Sequence, residues 1–188
     1  MDDDLLQSLK ADLRQTQRLS RRGRDSVERH RASQAVTRHL VSELRDQRYL
    51  RVAAFMAVRG ELDLESMPEL LPRISWYLPK VIQRDGPLNF GVWDARSLAP
   101  GAFGIMEPRG ELVDVHALDA VLVPGLGFTL AGDRLGMGGG FYDRTLNGYG
   151  GRVIGVAYDE EVLEEIPSGP HDRRVDCLVS PSGWHDCH

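Results

Sequence analysis

The chain has little cysteine, little lysine, few aromatics and no long apolar run, and each shortage narrows what it is. Its two cysteines, Cys177 and Cys187, both lie near the C-terminal end. They supply neither a disulfide framework nor the paired spacing of a metal site, so a reduced, cytoplasmic setting is the simplest expectation. No apolar stretch approaches the ~20 residues that cross a bilayer. The opening segment, MDDDLLQSLKADLR, is charged and lacks the apolar core of a secretion signal. A basic surplus is absent too: the 188 residues carry a net charge of −5. That argues against a general nucleic-acid binder but leaves room for local phosphate pockets. Lys10 and Lys80 are the only lysines, a bias of composition that says little about function.

What is present suits a globular protein with a real hydrophobic core. The apolar fraction is 41% and the charged fraction 27%. Leu5, Leu6, Leu9 and Leu13 recur at helical spacing and predict a helix over 4–18. Ala35, Val36, Leu40, Val41 and Leu44 predict a second over 25–47. The run RVAAFMAV predicts a buried strand over 51–58, and 62–71 reads as helical. Further strands are expected over 74–78, 88–93, 120–123, 153–158 and 178–179, with short helices over 142–148 and 159–165. Strands alternating with helices predict an α/β fold, a three-layer α/β/α sandwich around a mostly parallel sheet. With no repeat, linker or low-complexity tract, residues 1–188 read as a single domain. Such sheets bind ligands beyond the carboxyl ends of their strands, which directs attention to the loops near Arg59–Asp63 and between Pro124 and Arg144.

The second loop is the more informative. A buried AVLV strand runs into Pro124, and Gly125, Gly127 and Gly132 follow. Then comes a dense cluster, RLGMGGGFYDR, from Arg134 to Arg144. Glycines let a backbone approach a ligand closely, consecutive amides form an anion-binding concavity, and a helix starting near Phe141 would add its N-terminal amides. Arg134 and Arg144 bracket the cluster and suit phosphate, while Asp143 suits a hard cation such as magnesium. The glycine spacing alone leaves two readings open, a phosphate cradle or a flexible surface loop. It has neither the Lys-Ser/Thr ending of a P-loop nor the position of a dinucleotide fingerprint.

The cluster resembles the signature of the 5-formyltetrahydrofolate cyclo-ligase family. Pro124, Gly125, Phe128, Gly132, Arg134, Leu135, Gly136, Gly138, Gly140, Tyr142 and Asp143 all fit it. Further likenesses lie in order along the chain: Lys10 with Arg14, Gly60-Glu61-Leu62-Asp63, Leu78-Pro79-Lys80, Gly104-Ile105-Met106-Glu107-Pro108, His171-Asp172 and Val175-Asp176. The chain departs at Met137 and Gly139, where some members carry basic residues, and at Phe141, where tyrosine is usual.

The resemblance implies a monomeric ligase that uses ATP and Mg2+ to cyclise 5-formyltetrahydrofolate, with or without a polyglutamate tail, to the 5,10-methenyl form. No nucleic acid or membrane is expected as a partner. Arg134, Arg144 and Lys10 are implied as catalytic. ATP is expected on Lys10, Arg14, Arg134, Leu135, Gly136, Met137, Gly138, Gly139, Gly140, Phe141 and Tyr142. The folate is expected on Met56, Glu61, Met137, Gly138, Gly139, Gly140 and Phe141, and the metal on Asp143 and Asp172. On pattern alone each has a plainer role. Lys10 and Arg14, four apart, make a solvated helix face. Glu61 is a loop glutamate, Asp143 a helix-start aspartate, and Asp172 a turn residue after Pro170. Phe55, Met56 and Trp93 read either as lining of the folate pocket or as core packing, and His185, Cys187 and His188 as a frayed tail in preference to a metal site.

Overall fold

The computed structural model describes residues 3–169 and 172–187. Two long helices come first, α1 (Asp3–Arg22) and α2 (Ser26–Asp46). They are separate because Asp25 is extended and its carboxylate accepts from the Val27 and Glu28 N–H groups, starting a new helix. Then follow β1 (Arg51–Ala53), α3 (Met67–Leu70), β2 (Ser75–Val81), β3 (Leu88–Val92), β4 (Leu98–Pro100), β5 (Met106–Pro108) and β6 (Leu112–Val113). The remainder is β7 (Ala120–Pro124), β8 (Gly127–Phe128), β9 (Arg134–Leu135), α4 (Phe141–Thr145), β10 (Arg152–Val156), β11 (Cys177–Ser180) and β12 (Gly183–Asp186).

Eight strands form one sheet in the order β12-β11-β10-β7-β1-β2-β3-β6. The run from β11 to β2 is parallel, and β12, β3 and β6 join antiparallel. Both faces are covered, and β7 shows how. Ala120 and Leu122 pack with Val36, Leu40 and Leu44 of α2, while Val121 and Val123 pack with Phe90, Phe128, Leu146 and Tyr149. The layered α/β expectation holds, but the two outer layers differ. One is α2 with the short α3; the other is α4, short 3-10 turns and loops. From β1 the chain builds toward β2 on one side and toward β7, β10 and β11 on the other. The strand order therefore reverses between β1 and β7, where such sheets open a crevice.

Several elements are shorter than the sequence suggests. The strand expected over 51–58 ends at Ala53; Ala54 makes one more bond to the Tyr77 carbonyl, and Arg59 and Gly60, both at positive φ, turn the chain away. The helix expected over 62–71 contracts to α3, because an Asp63 turn onto the Glu65 N–H holds the preceding residues and Pro68 begins the helix. The helix expected over 159–165 is only a 3-10 turn, Asp159–Glu161. The expected frayed tail is instead β12, paired to β11 through Cys177↔Asp186 and Leu178↔His185. His188, like Pro170 and His171, lies outside the described residues. Cys177 and Cys187 join the cores on opposite faces of the sheet. No helix among the described residues is long and apolar enough to cross a membrane.

Candidate active site

Two loops leave the sheet side by side at the reversal of strand order, one after β1 and one after β7. The first carries Met56, half-buried, and Glu61, buried. The Glu61 carboxylate folds back on its own loop and accepts from the Val58 N–H at 3.0 Å. Burial pushes its pKa up to about 7; the Val58 hydrogen bond and Arg21 oppose that rise, Glu161 adds to it, and Arg59 opposes it again.

The second loop does not pass directly from strand to glycines. β8 and β9 first form a small hairpin that returns the chain to Arg134, and the bend Gly136–Gly140 then leads into α4. Gly138 at φ 103° and Gly140 at φ 65° need the left-handed freedom of glycine to make this bend. α4 has five residues, fewer than the sequence suggests, so little helix dipole is available; any anion would be held mainly by bend amides and side chains. Leu135 turns its side chain into a small core with Leu126 and Ile166, leaving only its backbone toward the bend.

Arg134 and Asp143 are paired with each other. Arg134 Nη2 donates to Asp143 Oδ1 at 2.7 Å, Nη1 makes a long bond to the Pro124 carbonyl at 3.4 Å, and the buried Nε has no partner among the described residues. The guanidinium carbon lies 5.5 Å from the Tyr142 ring centroid. Burial and the nearby Glu61 charge push the Tyr142 hydroxyl well above its ordinary pKa, against the pull of Arg134. Tyr142 thus feels the charge of Glu61 on the first loop and of Arg134 on the second. Arg144, exposed, lies over Phe141 at 5.2 Å and donates to the Gly139 carbonyl at 2.9 Å and the Gly86 carbonyl at 3.3 Å.

α1 runs along both loops and presents a row of cations. Lys10, buried, donates to Asp172 Oδ2 at 2.5 Å, and that oxygen also accepts from the Gly169 N–H at 2.6 Å. Arg14 Nε donates to the Gly136 carbonyl at 3.0 Å. Its pKa is lowered by burial and by Arg18, against Asp172 and Asp143, so both carboxylates lie within its field. Arg18 donates to the Met137 carbonyl at 2.9 Å. Arg21 reaches Glu161, the Gly125 carbonyl and the edge of Glu61. Arg18, Arg21 and Glu161 were not singled out from the sequence. The signal for the arginines was the continued spacing of Lys10, Arg14, Arg18 and Arg21 along one helix face. Glu161 had none.

Among the described residues no three metal-type ligands gather. Asp143 and Asp172 each spend one oxygen on a cation and leave the other without a hydrogen bond to a described residue. Such oxygens suit a magnesium ion, which takes one or two carboxylates and completes its shell with phosphate and water. Phe55 is core and Trp93 packs against it. A cavity of about 470 Å³ lined by Arg152, Arg173, Arg174 and Asp186 lies at the amino ends of β10 and β11, away from these groups.

Residues 6–181 match the model of the 5-formyltetrahydrofolate cyclo-ligase family. The 5-formyltetrahydrofolate cyclo-ligase of Escherichia coli K12 is 36% identical over 141 residues, 70% of this chain and 78% of that protein. The Mycolicibacterium smegmatis protein of the same name is 38% identical over 100 residues, about half of either chain (50% and 52%). The solved 5,10-methenyltetrahydrofolate synthetase of Aquifex aeolicus superposes with a TM-score of 0.85 at 36% identity, covering 95% of this chain and 92% of that one.

Proposed function

The chain belongs to the 5-formyltetrahydrofolate cyclo-ligase family, and we propose that it uses ATP to close 5-formyltetrahydrofolate to the 5,10-methenyl form. The N5-formyl group is an amide, with a carbon of low electrophilicity and an oxygen that leaves poorly. The formyl oxygen takes the γ-phosphoryl group, forming an O–P bond as the β–γ bridge breaks and ADP departs. N10 then attacks the activated carbon. The new C–N bond forms as the C–O bond breaks, phosphate leaves, N10 loses its proton, and the methenyl bridge remains.

The protein's part in this reading is positioning and neutralisation of charge. Lys10, Arg14, Arg134 and Arg144, with the amides of Gly136, Met137, Gly138, Gly139 and Gly140, hold the triphosphate and meet charge developing on its terminal group. Phe141 and Tyr142 flank it. Asp143 and Asp172 hold magnesium, which supplies further neutralisation of the phosphate oxygens when bound. Glu61, through two carboxylate oxygens, accepts from the adjacent N–H donors of the pterin edge, with Met56 and Phe141 against the ring. One domain acting as a monomer suffices, because both loops leave a single sheet.

The observation that carries this reading is the adjacency of the two loops, Arg21 touching both the Glu61 carboxylate of the first and the Gly125 carbonyl of the second, with the cationic face of α1 bounding them. The test is absorbance in the methenyl band with 5-formyltetrahydrofolate, magnesium and ATP, repeated without ATP. Product is expected only with ATP. Conversion without ATP, or none with it, would overturn the proposal.

A further inference from the structure

Arg21 has no part in the steps above, yet it is only 3% exposed. Its Nε donates to Glu161 Oε1 at 2.8 Å and its Nη2 to the Gly125 carbonyl. Its Nη1 is buried, has no hydrogen-bond partner among the described residues, and faces Glu61 Oε1 at 3.7 Å. Glu161, 2% exposed, is fixed in turn. It accepts from Arg24 Nη1 at 2.9 Å, and its other oxygen accepts from the Tyr158 N–H at 3.3 Å. The Tyr158 hydroxyl donates to the Gly60 carbonyl at 2.9 Å, tying the same network to the turn before Glu61.

An unsatisfied buried guanidinium N–H is costly. Here it is aimed at one carboxylate while a second anchors the same side chain. We propose that Arg21 is a positioning residue for Glu61: its Nη1 keeps that carboxylate ionised and oriented from its loop, and Glu161 sets how strongly Arg21 does so. The proposal rests on Glu61 being the carboxylate that meets the folate.

The groups facing Glu61 come from four elements. Arg21 is on α1, Arg59 and the Val58 N–H are on its own loop, Glu161 is on the turn after β10, and Tyr142 is on α4. A carboxylate that accepts from pterin donors must be charged, so folate affinity falls as pH drops through about 7. Arg21 faces Glu61 directly at 3.7 Å whereas Glu161 touches Arg21 and not Glu61, so the cation outweighs the second carboxylate. Removing both side chains therefore moves the midpoint up, and neutralising Glu161 alone moves it down.

The experiment uses the full chain and reads KM for 5-formyltetrahydrofolate against pH, with KM for ATP alongside. The variants are R21M/E161M, which leaves no lone charge of that pair behind, together with E161Q and E61Q. For R21M/E161M the midpoint is expected to rise by about one pH unit. KM for folate at pH 7 should then rise about fivefold, approaching tenfold well below the original midpoint, with KM for ATP changed less than about twofold. For E161Q the midpoint should fall. Loosened packing has no reason to move a titration in opposite directions in two variants, and E161Q decides the matter if the double variant fails to fold. A midpoint that stays put in the variants that fold, or moves the same way in both, overturns the proposal. E61Q separates the two failures. If it leaves KM for folate unchanged, the reading of Glu61 is wrong. If it raises KM and removes the midpoint while the other variants do nothing, only the role of Arg21 falls.

Discussion

At the scale of single residues, three buried cations at the candidate site each already hold a carboxylate. Arg134 holds Asp143, Lys10 holds Asp172 and Arg21 holds Glu161. Such pairs contribute little net stability, because desolvation offsets most of the attraction, but removing one partner strands the other. They also keep strong donors ordered before a ligand arrives, and the Nε of Arg134 has no partner among the described residues. Arg134→Ala should lower kcat about 100- to 1000-fold, the scale of losing one preorganised donor to a developing anion. Arg134→Lys should recover only part of that, since a point charge replaces a planar fork. Turnover measured beside a far-UV melting curve separates this from unfolding; near-normal turnover in Arg134→Ala would remove the residue from the mechanism.

At the scale of elements, the bend before α4 depends on backbone conformation more than on side chains. Gly140 caps α4 in the left-handed region, and a Cβ added there lies 2.6 Å from Arg144 Nη1. Gly140→Ala therefore faces a left-handed penalty of about 1–2 kcal/mol and displaces the arginine that closes the bend. The expected outcome is a KM for ATP raised about tenfold with KM for folate nearly unchanged. Equal rises in both constants would mean that the bend serves the two ligands alike. α1 works at this scale too. From one helix face Lys10 reaches Asp172, Arg14 and Arg18 reach the Gly136–Gly140 bend and Arg21 reaches the Glu161 turn, so the helix clamps the crevice instead of covering the sheet.

At the scale of the whole molecule, the crevice is held open by a sheet that α2, with the short α3 beside it, covers on one side. Leu40 and Leu44 are fully buried between α2 and the central strands. Leu40→Ala should destabilise the protein by about 3 kcal/mol through lost burial and a residual cavity. Well below its lowered melting temperature, turnover should be nearly unchanged, because no site residue is on α2. Urea unfolding and a turnover assay check both halves; a large loss of turnover in folded protein would show that the sheet transmits the change to the site.

The amino-acid sequence by itself determined the features that depend on near neighbours. Apolar spacing marked α1 and α2, the AVLV run marked β7, and the glycine cluster marked a bend bracketed by arginines. Backbone sterics and local periodicity act over a few residues, so they can be read along the chain. Only the tertiary structure decided which charges meet. Lys10 finds Asp172 across 162 positions and Arg21 finds Glu161 across 140. Arg134 finds one oxygen of Asp143 across nine positions. Strands as short as β6 and β12, and the early end of β1, were likewise settled by what backbone lay alongside to accept their hydrogen bonds. A charge–charge contact or a two-residue strand has no periodicity of its own, and its energy exists only once distant segments are brought together.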